Sequence, residues 1–152
     1  MRRLLCFIFC LIISLNLIGP AFAADSTQGT IIRYQETDLG DGITVVDEII
    51  DYSSARSTDK TYAHVKTIKN DGTTIGTIAI RGTFRYDGTT VSVVSKSVTQ
   101  TDTYDGWSYK QNSFTSSGGT ITLDAKLTKL LVLNISFTMT LSCDKNGNIS
   151  YT

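Results

Sequence analysis

From about residue 30 onward, apolar and polar side chains alternate in runs separated by short turns, the period-two signature of strands with one face buried. The clearest run is Thr74 to Tyr86. Gly76, Ile78, Ile80, Gly82, Phe84 and Tyr86 share one face there, while Thr77, Arg81, Thr83 and Arg85 share the other. After Asp87-Gly88 the pattern predicts a return strand from Thr89 to Thr103. Val93 and Val94 are adjacent and point to opposite faces, so a bulge or bend is expected at them. A longer alternation puts Ile121, Leu123, Ala125, Leu127, Leu131, Leu133, Ile135, Phe137, Met139, Leu141 and Cys143 all on odd positions. At about 3.3 Å per residue that run is too long for one strand, so it should divide near Thr128 to Leu130. Leu123, Leu127, Leu130 and Leu131 also fit helical spacing, which offers a short helix from Ala125 to Leu131 as the competing reading; two strands are preferred. Further strands are expected at Thr30 to Glu36, Ile43 to Tyr52, Thr61 to Lys69, Trp107 to Phe114 and Asn148 to Tyr151, with a loop over Ser53 to Asp59.

Asp41-Gly42, Asp71-Gly72, Asp87-Gly88, Asp105-Gly106 and Asn146-Gly147 punctuate these runs, and Asx-Gly pairs supply the positive φ that tight hairpins need. The fold class is therefore all-β: a single antiparallel meander of eight or nine strands, closed as an up-and-down barrel or packed as a sandwich. Periodicity does not separate those two. No unit recurs with side-chain fidelity, so a solenoid or propeller is not supported.

The first 23 residues read differently. Arg2 and Arg3 precede an apolar run from Leu4 to Ile18, and Ala21-Phe22-Ala23 forms a small-x-small cleavage signature. The run is short for a bilayer span of roughly 20 residues. The expected organisation is a signal peptide at 1–23, cleaved after Ala23, followed by an exported all-β domain at 24–152 with no membrane span. The whole chain carries 14 basic and 14 acidic side chains; removing Arg2 and Arg3 leaves 12 against 14. That faint acidity argues against a nucleic-acid partner, which requires a clustered basic surface. Cys6, Cys10 and the only proline also lie in the leader, so the exported part keeps Cys143 alone and forms no internal disulfide. Its stability must come from an apolar core.

The stretch from Thr83 to Ser150, with FRYDGTTVSVVSKSV, TYDGWSYKQNSFTSSGGTITL and FTMTLSCDKNGNIS, resembles a group of small exported proteins of Gram-positive, gut-type bacteria. The resemblance covers a little over half of the mature chain. It implies export and a β-rich domain, and it carries over no catalytic or binding residue.

Candidate chemistry is sparse. Cys143 and His64 are the only thiol and imidazole outside the leader, but a nucleophilic pair needs the base within hydrogen-bond reach. The phase of Cys143 points it into the core, where a thiol is inert. Asp144, Asn146, Gly147 and Asn148 share their order with the start of an oxygen-ligand calcium loop; the distant bidentate Glu is missing, and a hairpin turn needs the same Asn-Gly. No metal site and no cofactor are expected, since one Cys and one His are too few for zinc. Trp107 and Tyr109 share a strand face beside Asp105-Gly106. Flat rings there could stack on a sugar, with Asp105 bonding its hydroxyls, although a lone Trp in a small domain more commonly caps the core.

The functional reading is a secreted, non-enzymatic extracellular binding module for a glycan or protein ligand, acting through its loops or the Trp107, Tyr109 and Asp105 region. The alternative is an inhibitor or assembly subunit that pairs through an open sheet edge. A third, lower-ranked reading is a hydrolase using Asp47, Glu48 and Asp51.

Overall fold

A computed structural model describes residues 28–54, 57–101, 106–130 and 133–152. Nine strands follow one another in chain order: β1 (Thr30–Gly40), β2 (Ile43–Asp51), β3 (Asp59–Asn70), β4 (Thr73–Tyr86), β5 (Val91–Thr101), β6 (Trp107–Ser117), β7 (Thr120–Lys129), β8 (Leu133–Cys143) and β9 (Ile149–Tyr151). Each hydrogen-bonds its sequence neighbour within two antiparallel sheets, β1-β2-β3-β4-β5 and β6-β7-β8-β9. The all-β meander is thus present, divided into a five-stranded and a four-stranded sheet. The leader and its cleavage position lie outside the described residues. Among the described residues no helix is long and apolar enough to cross a membrane.

The expected alternation in β4 holds: Ile78, Ile80 and Phe84 are fully buried, while Arg81 and Arg85 face out. Val94 is the extra residue of a bulge, because Thr83 pairs with Ser95 and Phe84 with Val93. The long odd-phase run breaks where its length demanded. β7 ends at Lys129, and Leu130 takes a left-handed φ of 47° on the way to β8. Ala125 to Lys129 are strand, so the helical alternative over 125–131 gives way; a cross-strand partner for every residue of β7 outweighs the helical leucine spacing. Tight turns hold the hairpins. Asp41 and Gly42, and again Asp71 and Gly72, all have positive φ, as a two-residue hairpin loop requires.

The inner faces of the two sheets meet in two apolar clusters. The larger joins Ile49, Tyr62, Ile78, Ile80 and Phe84 of the first sheet to Ile121, Leu123, Met139, Leu141 and Cys143 of the second. The smaller joins Val45, Ile68 and Ile75 to Trp107 and Leu127. Burial of these side chains supplies the main driving force, at about 1.5 to 3 kcal/mol for each large residue. β1 adds little to it, since ten of its eleven residues are exposed. β9 pairs with only Leu141, Ser142 and Cys143 of β8. The remainder of that β8 edge has no partner strand among the described residues.

Candidate functional site

Register, not sequence proximity, assembles the most unusual side chains of the molecule. On the inner face of the first sheet, Val45 pairs with Ile68, Asp47 with Lys66, and Ile49 with His64. A carboxylate and an ammonium are therefore direct cross-strand neighbours on a buried face, with the imidazole diagonal to the carboxylate. Asp47 Oδ1 accepts from His64 Nε2 at 2.6 Å and from Lys66 Nζ at 2.7 Å. The other ring nitrogen, Nδ1, lies 3.0 Å from the Thr140 carbonyl oxygen of β8 and so ties the two sheets together. Tyr151 of β9 packs edge-on against the imidazole, with ring centroids 5.1 Å apart.

The charge state follows from this geometry. Burial pushes the Asp47 carboxyl up, but the hydrogen bonds and charges of His64 and Lys66 outweigh it and hold the group below its usual value, so Asp47 is ionised. Both His64 ring nitrogens are engaged, Nε2 by the Asp47 carboxylate and Nδ1 by the Thr140 carbonyl oxygen. His64 is fully buried, and the side chains of Lys66 and Asp47 are only 11% and 13% exposed. Among the described residues Lys66 Nζ has one acceptor, although an ammonium carries three donors.

Lys66 and Asp47 form the floor of a cleft of about 210 Å³ walled by Thr37 and Leu39 of β1, Val45, Ile68, and Ile135 and Phe137 of β8. A second hollow of about 370 Å³ shares Leu39, Ile135 and Ser136 with it and runs past Ile43 and Leu133 to Asp41 and Asn70. Leu39 and Leu133, from different sheets, are 60% and 46% exposed, and both line this groove. The groove exists because β1 extends past the core while β9 leaves the facing stretch of β8 bare.

The residues singled out from sequence lie elsewhere. Trp107 is 6% exposed and packs with Val45, Ile68, Ile75 and Leu127, with Lys129 Nζ 5.9 Å from its ring centroid. An indole so enclosed has no open face for a sugar, and it caps the core. Tyr109 is half-buried against both clusters; burial pushes its phenol up, and its hydroxyl has no hydrogen-bond partner among the described residues. Asp105 lies outside the described residues. Asp47 and Glu48 are consecutive in β2 and point to opposite faces, and the Asp51 carboxylate accepts from the Ser53 amide, so this trio does not converge. Cys143 is 3% exposed; burial, followed by the Asp144 charge, pushes its thiol up to about 11. Both His64 nitrogens are engaged elsewhere, so the two residues form no nucleophile pair. The Asp144 carboxylate is used within its own turn, accepting from the amides of Asn146 and Asn148 and from the Asn148 side chain. That is a hairpin turn, and among the described residues no three potential metal ligands cluster.

The sequence reading took Asp47 only as one of the Asp47, Glu48 and Asp51 carboxylates and passed over Lys66 and the β1–β8 groove. The signal was present in the phase: Tyr62, His64, Lys66 and Ile68 alternate together, as do Val45, Asp47 and Ile49. The opposite phase of β3, with Ala63 and Val65, is as apolar, so facing stayed open until the sheets were paired. No protein-family model, curated protein or solved structure matches the chain.

Proposed function

We propose that the protein is an exported, non-enzymatic binding module that seats its ligand in the β1–β8 groove and not on the Trp107 and Tyr109 face. The observation that carries this reading is the convergence of exposed leucines from two sheets on a cleft lined by the Asp47–Lys66 ion pair. Apolar walls with a few placed polar groups are the usual form of a ligand seat. Export rests on the basic-apolar-small pattern of residues 1–23. The test is titration with a neutral, environment-sensitive apolar dye such as Nile red. Saturable fluorescence gain is expected for the native protein, with loss in Leu39→Asp and in Leu133→Asp. Both positions are exposed enough to accept the change, and Ile32→Asp, outside the groove, should leave binding intact. A dye response indifferent to Leu39 and Leu133 would sink the proposal.

A second reading rests on a different observation. The outer edge of β1 has no partner strand among the described residues, and Ile31, Ile32 and Tyr34 are exposed along it. Such an edge is a template for another strand. On this reading the protein self-assembles through β1, and Ile32→Lys abolishes a concentration-dependent increase in size seen by light scattering; a size constant with concentration removes it.

A further inference from the structure

The groove lies where the second sheet is one strand short. On the β9 side of β8 the Thr140 amide donates to the Thr152 carbonyl at 3.0 Å, and on the β7 side the Cys143 amide donates to the Gly119 carbonyl at 2.9 Å. Successive residues of an antiparallel ladder alternate sides in this way, so the even residues of β8 turn N–H and C=O toward β9 and, beyond it, toward the open edge. His64 Nδ1, 3.0 Å from the Thr140 carbonyl oxygen, closes one end of that row. Asn134, Ser136 and Thr138 follow. Each has an edge-facing amide and carbonyl with no backbone partner among the described residues.

Sheet edges are normally guarded by charges, prolines or bulges. β1 carries Arg33, Glu36 and Asp38 with two register shifts, β5 carries Lys96 and the Val94 bulge, and β6 carries Lys110 and a shift between Gln111 and Ser113. From Leu133 to Met139, β8 has no charged side chain, no proline and no register shift. Resting on the groove as the ligand seat, we propose that its occupant is an extended, non-acidic segment of another polypeptide, which pairs with β8 and continues the line of β9. Directly opposed residues share a face, so its side chains opposite Leu133, Ile135 and Phe137 turn inward. Those side chains are apolar, because they enter the two hollows between β8 and the exposed Leu39. Among the described residues the charges lining the hollows are Lys66, paired with Asp47, and Asp41, so an acidic segment meets more anion than cation. A small apolar molecule fills the hollows but leaves the edge row unused. Only another backbone repeats one donor and one acceptor at the spacing of that row.

The probe is an end-capped heptapeptide in which three valines alternate with two threonines between terminal lysines, titrated calorimetrically into the full mature chain beside two N-methylated forms. With the valines inward, the threonine amides point at β8 and the valine amides away from it. Methylating the threonine amides is expected to weaken binding about tenfold or more, and methylating the valine amides to change it by less than about threefold. Ser136→Pro deletes one edge amide where an edge strand accepts proline, and it should weaken the unmethylated peptide in the same way. Equal affinity of the two methylated forms overturns strand addition and leaves the groove reading standing, since side-chain burial alone does not sense which amides are blocked; this comparison needs no variant. Terminal glutamates should bind more weakly than terminal lysines, and equal affinity at low salt overturns the non-acidic requirement. A peptide that fails to bind while Nile red still responds to Leu39 and Leu133 also overturns the proposal and spares the groove. If the peptide fails and the protein instead grows in size with concentration, a growth lost in Ser136→Pro, the slot belongs to a second copy and not to another polypeptide. The groove reading falls only if the dye response is indifferent to Leu39 and Leu133.

Discussion

Asp47 is the residue on which most depends, because it alone neutralises charge beneath the groove. Removing one partner from a buried ion cluster costs more than the cluster contributes when whole. Asp47→Ala, which strands Lys66 without a counter-ion and takes the acceptor from His64 Nε2, should therefore lose about 3 to 5 kcal/mol in urea unfolding. Lys66→Met, which keeps the Asp47–His64 pair and adds an apolar side chain, should lose much less. The sign of the pH effect follows from the lowered Asp47 pKa. Its stabilising contribution is complete above the unfolded carboxyl's 3.8 and is lost as pH falls from there through the folded value. The acid limb of the stability curve should accordingly flatten in Asp47→Asn. An acid limb identical in the native protein and that variant would mean that Asp47 is not ionised in the fold. Cys143 gives a simpler check. With its thiol pushed up to about 11 and almost no exposure, it should resist a thiol reagent at pH 8 until denaturant is added. The burial of Cys143 was legible from its phase with Met139 and Leu141. That of Trp107 was the favoured side of an open choice, because a ring at the start of a strand beside a turn can face either way and a lone Trp in a small domain usually caps the core.

Strands and turns were the most legible scale. β4, the Val94 bulge and the division of the 121–143 run all follow from period two and from the length a strand can have. Leu133 departs from the pattern: it keeps the odd phase but is 46% exposed, because at the start of β8 it lines an open hollow with Leu39, Ile43 and Asn70 instead of a closed core. The Ser117 to Thr120 turn, built on Gly118 and Gly119, was not singled out, since it lacks an Asx-Gly pair. Among the Asx-Gly turns, Gly147 is the most constrained. It has φ 86°, and a Cβ there collides with the Tyr86 ring from the β4 end. The adjoining turns are also joined by a hydrogen bond from the Gly88 amide to the Lys145 carbonyl, 2.8 Å. Gly147→Ala combines left-handed strain with a clash and should cost more than about 1 kcal/mol. Gly72→Ala, with φ 77° and nothing within 4 Å of its Cβ, bears the strain alone and should cost less. Equal losses for the two would show that the Tyr86 contact yields freely.

Across the whole molecule, stability is distributed unevenly in a way that matters for the groove. β3, β4 and β7 carry fully buried side chains, whereas β1 is exposed along nearly all its length and is held by one neighbour. Native-state hydrogen exchange should therefore show β1 amides opening locally, with little dependence on denaturant, while β3, β4 and β7 exchange only through global unfolding. Protection in β1 equal to that in β4 would contradict this picture.

Local patterning determined the strands, most of their turns, the antiparallel meander and the burial of Cys143, because period two and left-handed turn residues are properties of neighbouring positions. It did not determine the split into five and four strands, the inward facing of β3, or the groove. Those arise from pairing between residues far apart in the chain: Asp47 meets Lys66 only once β2 and β3 are in register, and His64 meets Thr140 only once the two sheets are packed. A buried charge is recognisable in a sequence only when the buried face is known, and in β3 both faces were apolar enough to be it.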